Sequence, residues 1–151
     1  EFAKRNNAVA STDVKSFEHL ICTEQLSRRL GFKVGEELIR VVRVRSLNGS
    51  ARQVDHGYFL ESIAKGLTPE IAASSIYDYL EHKRGVKVMA SRRTVSVELA
   101  NDEDCSYLDL GKYNCVAVME SQSYTSDGIL FEVTHARTHP EIFHYRVNSK
   151  R

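Results

Sequence analysis

Two stretches of alternating side chains, 39–46 and 53–60, flank Leu47-Asn48-Gly49-Ser50. An Asn-Gly pair between alternating segments marks a β-hairpin, because the turn that matches strand twist needs positive φ at both central residues, which Asn and Gly tolerate. A second pair of stretches, 116–124 and 129–138, brackets Ser126-Asp127-Gly128 and predicts another hairpin. Residues 14–20 alternate weakly and read as a strand, and 86–99 alternates through Val95, Val97 and Leu99. Short helical segments fall between. Residues 24–30 have helical spacing closed by Gly31, and Thr68-Pro69-Glu70 begins a helical turn. Ser75-Ile76-Tyr77-Asp78 fits the S-x-x-D capping pattern ahead of a helix to about Lys83, ended by Gly85. Asn101-Asp102-Glu103-Asp104 opens a last helix that closes near Leu110-Gly111. Six strands joined mostly by hairpins, with three or four short helices, make an α+β domain with a largely antiparallel sheet. Residues 1–12 read as a helix end and linker that stop short, as if cut from a longer chain, and 13–151 as the domain itself.

With 151 residues the chain is long enough to bury a core without disulfides or metal. Its 42% hydrophobic and 27% charged residues suit a globular protein, and it lacks both an apolar run long enough for a membrane helix and a signal peptide. Lys and Arg total 21 against 20 Asp and Glu, so the charge of +1 does not support binding of nucleic acid by this segment itself. Cys22, Cys105 and Cys115 are odd in number and lack C-x-x-C spacing, which argues against a disulfide framework or zinc site and for a reducing cytoplasm.

Catalytic signatures are missing: the sequence has no G-x-S-x-G, H-E-x-x-H, P-loop or G-x-G-x-x-G. His135 and His139 are four apart, but they lie in and after a predicted strand, where that spacing does not converge on one ion. No metal or cofactor is expected, and a binding role is favoured over an enzymatic one.

The residues best suited to bind something are Arg43 and Arg45. In a strand they share one face while Val42 and Val44 share the other, with the arginine Cα atoms about 6.5 Å apart. Two guanidinium forks on one face make an anion clamp for phosphate or carboxylate; the plain alternative is a solvated strand face. Asp55 depends on the hairpin register. A two-residue Asn48-Gly49 loop pairs Arg43 with Val54 and turns Asp55 away, whereas a three-residue loop through Ser50 sets Asp55 opposite Arg43. There it would accept hydrogen bonds from sugar hydroxyls or form a cross-strand ion pair. Ser75, at a helix start, suits a phosphate or simple N-capping.

The order of these motifs resembles a known family. The strand with Arg43-Val44-Arg45, Asp55 before Tyr58-Phe59-Leu60, then Ser75-Ile76-Tyr77-Asp78, Gly85-Val86-Lys87-Val88, Asp102-Glu103-Asp104 with Tyr107-Leu108, and Val116-Ala117-Val118 are similar to the UTRA domain of HutC-class GntR transcriptional regulators. Within that class Tyr107-Leu108-Asp109-Leu110, Leu130-Phe131 and Arg137-Thr138-His139-Pro140 are most similar to the trehalose-operon repressors. The resemblance implies a chorismate-lyase-like fold used for binding, a homodimer, and operator DNA contacted only through a winged helix-turn-helix domain ahead of this segment. It implies that Arg43, Arg45 and Ser75 hold the phosphate of a small sugar phosphate, trehalose 6-phosphate first among candidates, and that Asp55 and Glu132 contact sugar hydroxyls. Where relatives carry tyrosines after the second acid this chain has Arg137 and Thr138, and Arg137 is counted among the sugar-binding candidates. An amino-sugar phosphate or a carboxylate is the alternative effector, and a lyase or hydrolase on the same fold is the less favoured reading.

Overall fold

The computed structural model describes residues 9–150. Asn48 and Gly49 have φ of 50° and 81°, the type I′ signature, and they connect two strands, 37–47 and 50–60. In chain order the elements are β1 (Ala10–Ile21), α1 (Glu24–Leu30), β2 (Glu37–Leu47), β3 (Ser50–Leu60), α2 (Pro69–Ala72) and α3 (Ile76–Asp78), which runs on as a π-helical turn, Tyr79–Lys83. Then follow β4 (Val88–Leu99), α4 (Asp102–Tyr107), β5 (Cys115–Thr125), β6 (Leu130–Thr138) and a 3₁₀ turn, Pro140–Ile142. The six strands form one sheet in the order β1-β2-β3-β6-β5-β4, and every neighbouring pair is antiparallel.

The expected architecture is present, with three local differences. Strand β1 already begins at Ala10, so 10–12 belong to the sheet; the rest of the expected helix end, 1–8, lies outside the described residues. Helix α4 ends at Tyr107, because Leu108 and Leu110 leave the helix to bury their side chains in the core. The helix from Ser75 changes to π geometry after Asp78, where the Arg84 N–H reaches back to the Tyr79 carbonyl.

Each helix start has its own cap. Thr23, Thr68 and Ser75 accept a backbone N–H through their side-chain oxygens. The reciprocal capping box is made by Asn101 and Asp104. Gly31 ends α1 at φ 94°, its N–H bonded to the Ser27 carbonyl.

The register sorts side chains onto two faces. One face carries Val42, Val44, Val54, Val116 and Val118, which pack with Leu108 and Leu110 from the segment after α4. Helix α1 covers the same face farther along, where Gln122 donates to the Leu30 carbonyl and Arg29 to the Tyr58 hydroxyl. The opposite face carries Ile39, Val41 and Phe59, and Ala72, Ile76 and Leu80 from the α2–α3 segment belong to the same cluster. This second face holds the candidate site.

Candidate functional site

Asp55 faces Arg43, but by a route outside the two simple loops. The turn is the two-residue Asn48-Gly49 loop, with Leu47 opposite Ser50 and Ser46 opposite Ala51. Arg45 then pairs with Gln53, so Arg52 is an extra residue in a β-bulge. The bulge undoes the one-residue slip and sets Asp55 across from Arg43.

The resulting cluster is compact. Asp55 Oδ2 lies 3.4 Å from Arg43 Nη2 and 3.7 Å from Arg45 Nη1, and the Gln53 amide donates to Oδ1 of the same carboxylate. Asp55 is 6% exposed. Arg43 Nη1 also donates to the Ala72 carbonyl at 3.3 Å, which ties the α2–α3 segment to the clamp. Ser75 lies three residues beyond that carbonyl, exposed, with its Oγ accepting the Asp78 N–H at 3.2 Å. Both guanidinium forks converge on one carboxylate, a geometry that phosphate oxygens can also satisfy.

Glu132 stands on the same face, opposite Phe59 of β3 and Ser123 of β5. It is 4% exposed, and its Oε2 has no hydrogen-bond partner among the described residues. Burial pushes its carboxyl pKa up to about 7, opposed by the neighbouring Tyr77 hydroxyl and by Arg43, while Asp55 adds to the rise and Arg93 opposes it. The Tyr77 hydroxyl is 3.1 Å from Ser123 Oγ, and its pKa is raised by burial and then by Glu132. Tyr77 thereby bridges from the first turn of α3 down to the sheet.

Arg137 does not join this group. It lies five residues after Glu132 in β6, an odd spacing that turns it to the other face. There its Nε and Nη2 hold Asp104 at 2.9 to 3.0 Å and its Nη1 pairs with Glu98. Asp104 is fully buried. His135, also on that face, pairs with Glu120, and His139 buries its ring against Tyr113 beyond the strand. Among the described residues no three potential ligands are grouped to hold a metal.

Beyond Glu132, away from the clamp, the same face opens into a cleft of about 570 Å³. Tyr77 and Glu132 stand at one end, while Ser91, Arg93, Ser121 and Thr134 lie along its floor. Sequence reasoning missed Tyr77 and Arg93. Tyr77 sits two residues after Ser75 in the first helical turn, which was a usable signal, whereas Arg93 becomes meaningful only once the β4–β5 register is known.

The UTRA domain family matches residues 5–144. The chain belongs to the UTRA domain family. Its sequence is 27% identical over 145 residues to the HTH-type transcriptional regulator TreR of Bacillus subtilis, covering 96% of this chain and 61% of that protein. It is 24% identical over 116 residues to the repressor NagR of the same organism, covering 77% of this chain and 47% of the relative. The chain thus spans about half to three-fifths of these relatives. The effector binding domain of the B. subtilis trehalose repressor superposes with a TM-score of 0.85 at 27% identity, over 93% of this chain and 98% of that one. PhnF of Mycobacterium smegmatis shares the fold at a TM-score of 0.82 and 16% identity, over 98% of this chain and 66% of that one. TreR and NagR are transcriptional regulators, and a UTRA domain is a regulatory, ligand-sensing unit and not an enzyme. No helix among the described residues is long and apolar enough to cross a membrane.

Proposed function

We propose that this UTRA domain senses a small phosphorylated sugar, trehalose 6-phosphate first among candidates, and that binding controls the operator affinity of a repressor to which the domain belongs. The observation that carries this reading is the convergence of Arg43, Arg45 and Asp55 with Glu132 on one sheet face. The arginine pair takes the phosphate in bidentate fashion, with the Ser75 hydroxyl as an added donor from the helix start. Asp55, released from the arginines by the phosphate, accepts from sugar hydroxyls. Glu132 gains a partner for its orphaned oxygen in the same step. The name of the trehalose repressor points to the same ligand class.

Regulation requires the effector to bind the DNA-bound and released forms with different affinity. Two copies of the domain act together in this reading. Strand β4 is a sheet edge with Val97 73% and Leu99 75% exposed, an apolar row suited to a second copy. The free Cys22, Cys105 and Cys115 fit a reducing cytoplasm.

The test is thermal unfolding in the presence of trehalose 6-phosphate, trehalose, glucosamine 6-phosphate or a simple carboxylate. A ligand at a hundred times its Kd adds about 2.7 kcal/mol, or roughly 5 to 11 °C for a domain of this size. Stabilisation by trehalose 6-phosphate and not by trehalose supports the proposal. Stabilisation by trehalose alone, or by none of the four, refutes it.

A further inference from the structure

Tyr107-Leu108-Asp109-Leu110 and Arg137-Thr138-His139-Pro140, two motifs singled out in the sequence, meet at the bulge that sets Asp55 opposite Arg43. Leu108 and Leu110 are buried in the core, and Ala51 packs against the same cluster. Asp109, held between the two leucines, reaches β3: its Oδ2 accepts the Ala51 N–H at 2.7 Å, and its own N–H donates to the Ala51 carbonyl at 3.1 Å. The next carbonyl, that of Arg52, accepts the His139 N–H at 2.8 Å. Arg52 Nη1 lies 3.6 Å from Glu141 Oε2, and the Glu141 N–H donates back to His139 Nδ1 at 3.1 Å. His139 is buried, its ring in contact with the backbone of Leu110 and Asp109.

A bulge interrupts the ladder and leaves backbone groups that the facing strand does not satisfy. Such groups need partners once they are covered. Here the partners come from outside the β2–β3 pair, from Asp109 and from the His139 N–H. The place of the bulge matters because side chains alternate between faces. A bulge displaced along β3 takes first Gln53, whose amide donates to the Asp55 carboxylate, and then Asp55 itself out of line with the arginines.

We infer that Asp109 is a positioning residue of the effector site: with the His139 N–H it fixes the bulge at Arg52, and so holds Asp55 opposite Arg43 without touching the ligand itself. This rests on the reading of Arg43, Arg45 and Asp55 as the clamp. An ionised carboxylate makes a stronger acceptor than a neutral group, and the two buried leucines fix the backbone from which it acts. Asp109 also engages both backbone groups of one residue, which leaves Ala51 little freedom to change its pairing. Effector affinity then scales with the fraction of molecules that carry the bulge in this place.

The experiment compares the chain with Asp109→Ala and Asp109→Asn, and with Asp109→Ala in a chain from which Arg52 is deleted. Asn keeps an acceptor for the Ala51 N–H, and deletion of Arg52 gives a regular ladder that sets Asp55 opposite Arg43 with no bulge to hold. Amide exchange followed by NMR is expected to quicken across 50–56 in Asp109→Ala and to stay near the parent's in Asp109→Asn. Calorimetric titration with trehalose 6-phosphate, well below the melting temperatures, is expected to show affinity lower by about fivefold or more in Asp109→Ala. Asp109→Asn should restore most of it, and Asp109→Ala should have no effect on affinity in the chain lacking Arg52. Quickened exchange confined to Ala51, or an equal loss of affinity with and without Arg52, makes Asp109 a local cap and overturns the inference. The exchange measurement needs neither ligand nor the deletion, so it decides the positioning role even where the shortened chain does not fold. Failure of the parent to bind trehalose 6-phosphate counts against the sugar-phosphate reading alone.

Discussion

Asp55 stands directly across the β2–β3 ladder from Arg43, with 3.4 Å between its Oδ2 and the guanidinium. One carboxylate is therefore shared by two arginines that would otherwise repel each other on a half-covered face. The cluster is held in a form that an incoming phosphate can take over, since phosphate offers both arginines what Asp55 now supplies.

Replacing the fork while keeping the charge tests that exchange. Arg43→Lys retains a cation but loses bidentate geometry and the bond to the Ala72 carbonyl. Affinity for a phosphorylated ligand should fall about tenfold or more, as expected for loss of one charge-assisted bond. Affinity for the same sugar without phosphate should hardly change. Equal losses for the two ligands, measured by calorimetry, would remove Arg43 from the phosphate site.

Glu132 makes stability depend on pH. Its native pKa, raised to about 7 from the usual 4.5, means that the folded form binds more protons than the unfolded one between those values. Stability from this group is complete below pH 4.5 and is lost as pH rises through 7. The loss amounts to roughly 3 kcal/mol at about 1.36 kcal/mol per pKa unit. Urea titrations from pH 4.5 to 8 should show this slope, and Glu132→Gln should flatten it. A ligand hydroxyl donated to the ionised carboxylate should also tighten binding as pH rises through 7.

Arg137 predicts a separation of effects. Arg137→Met leaves the fully buried Asp104 without its cation, a change that typically costs 3 to 5 kcal/mol, or about that order here. Because the pair lies on the face away from the clamp, effector Kd measured well below the melting temperature should stay within about twofold. A large change in Kd at unchanged stability would contradict this placement.

The turn gives a purely backbone prediction. Gly49 has φ of 81° and open space around its missing Cβ, so Gly49→Ala meets strain and no clash. The expected cost is about 1 to 2 kcal/mol, read as a lower urea midpoint with an unchanged m-value.

Much of this was legible in the sequence. Asn48-Gly49 marked its hairpin, Gly31 its helix end, and the alternation around Arg43 placed both arginines on one face. The bulge at Arg52 was not legible, because nothing in Ser50-Ala51-Arg52-Gln53 distinguishes an extra residue from a longer loop, and both restore the same pairing. Arg137 shows the reverse case. Its odd spacing from Glu132 alone puts it on the other face, which outweighs its standing where relatives carry tyrosines after the second acid. Arg93 needed tertiary information, since only the pairing of β4 with β5 brings it into line with Ser121.

The bulge also has a consequence for how this hairpin can change length. A strand has two faces, so each inserted or deleted residue moves everything beyond it to the opposite side. Arg52 acts as a half-step that returns Asp55 to the clamp face. Homologues that lose that half-step can keep the acid on the clamp face only by dropping the extra residue outright or by lengthening the loop by one. Length variation between the clamp and its acid is therefore governed by parity more than by residue identity.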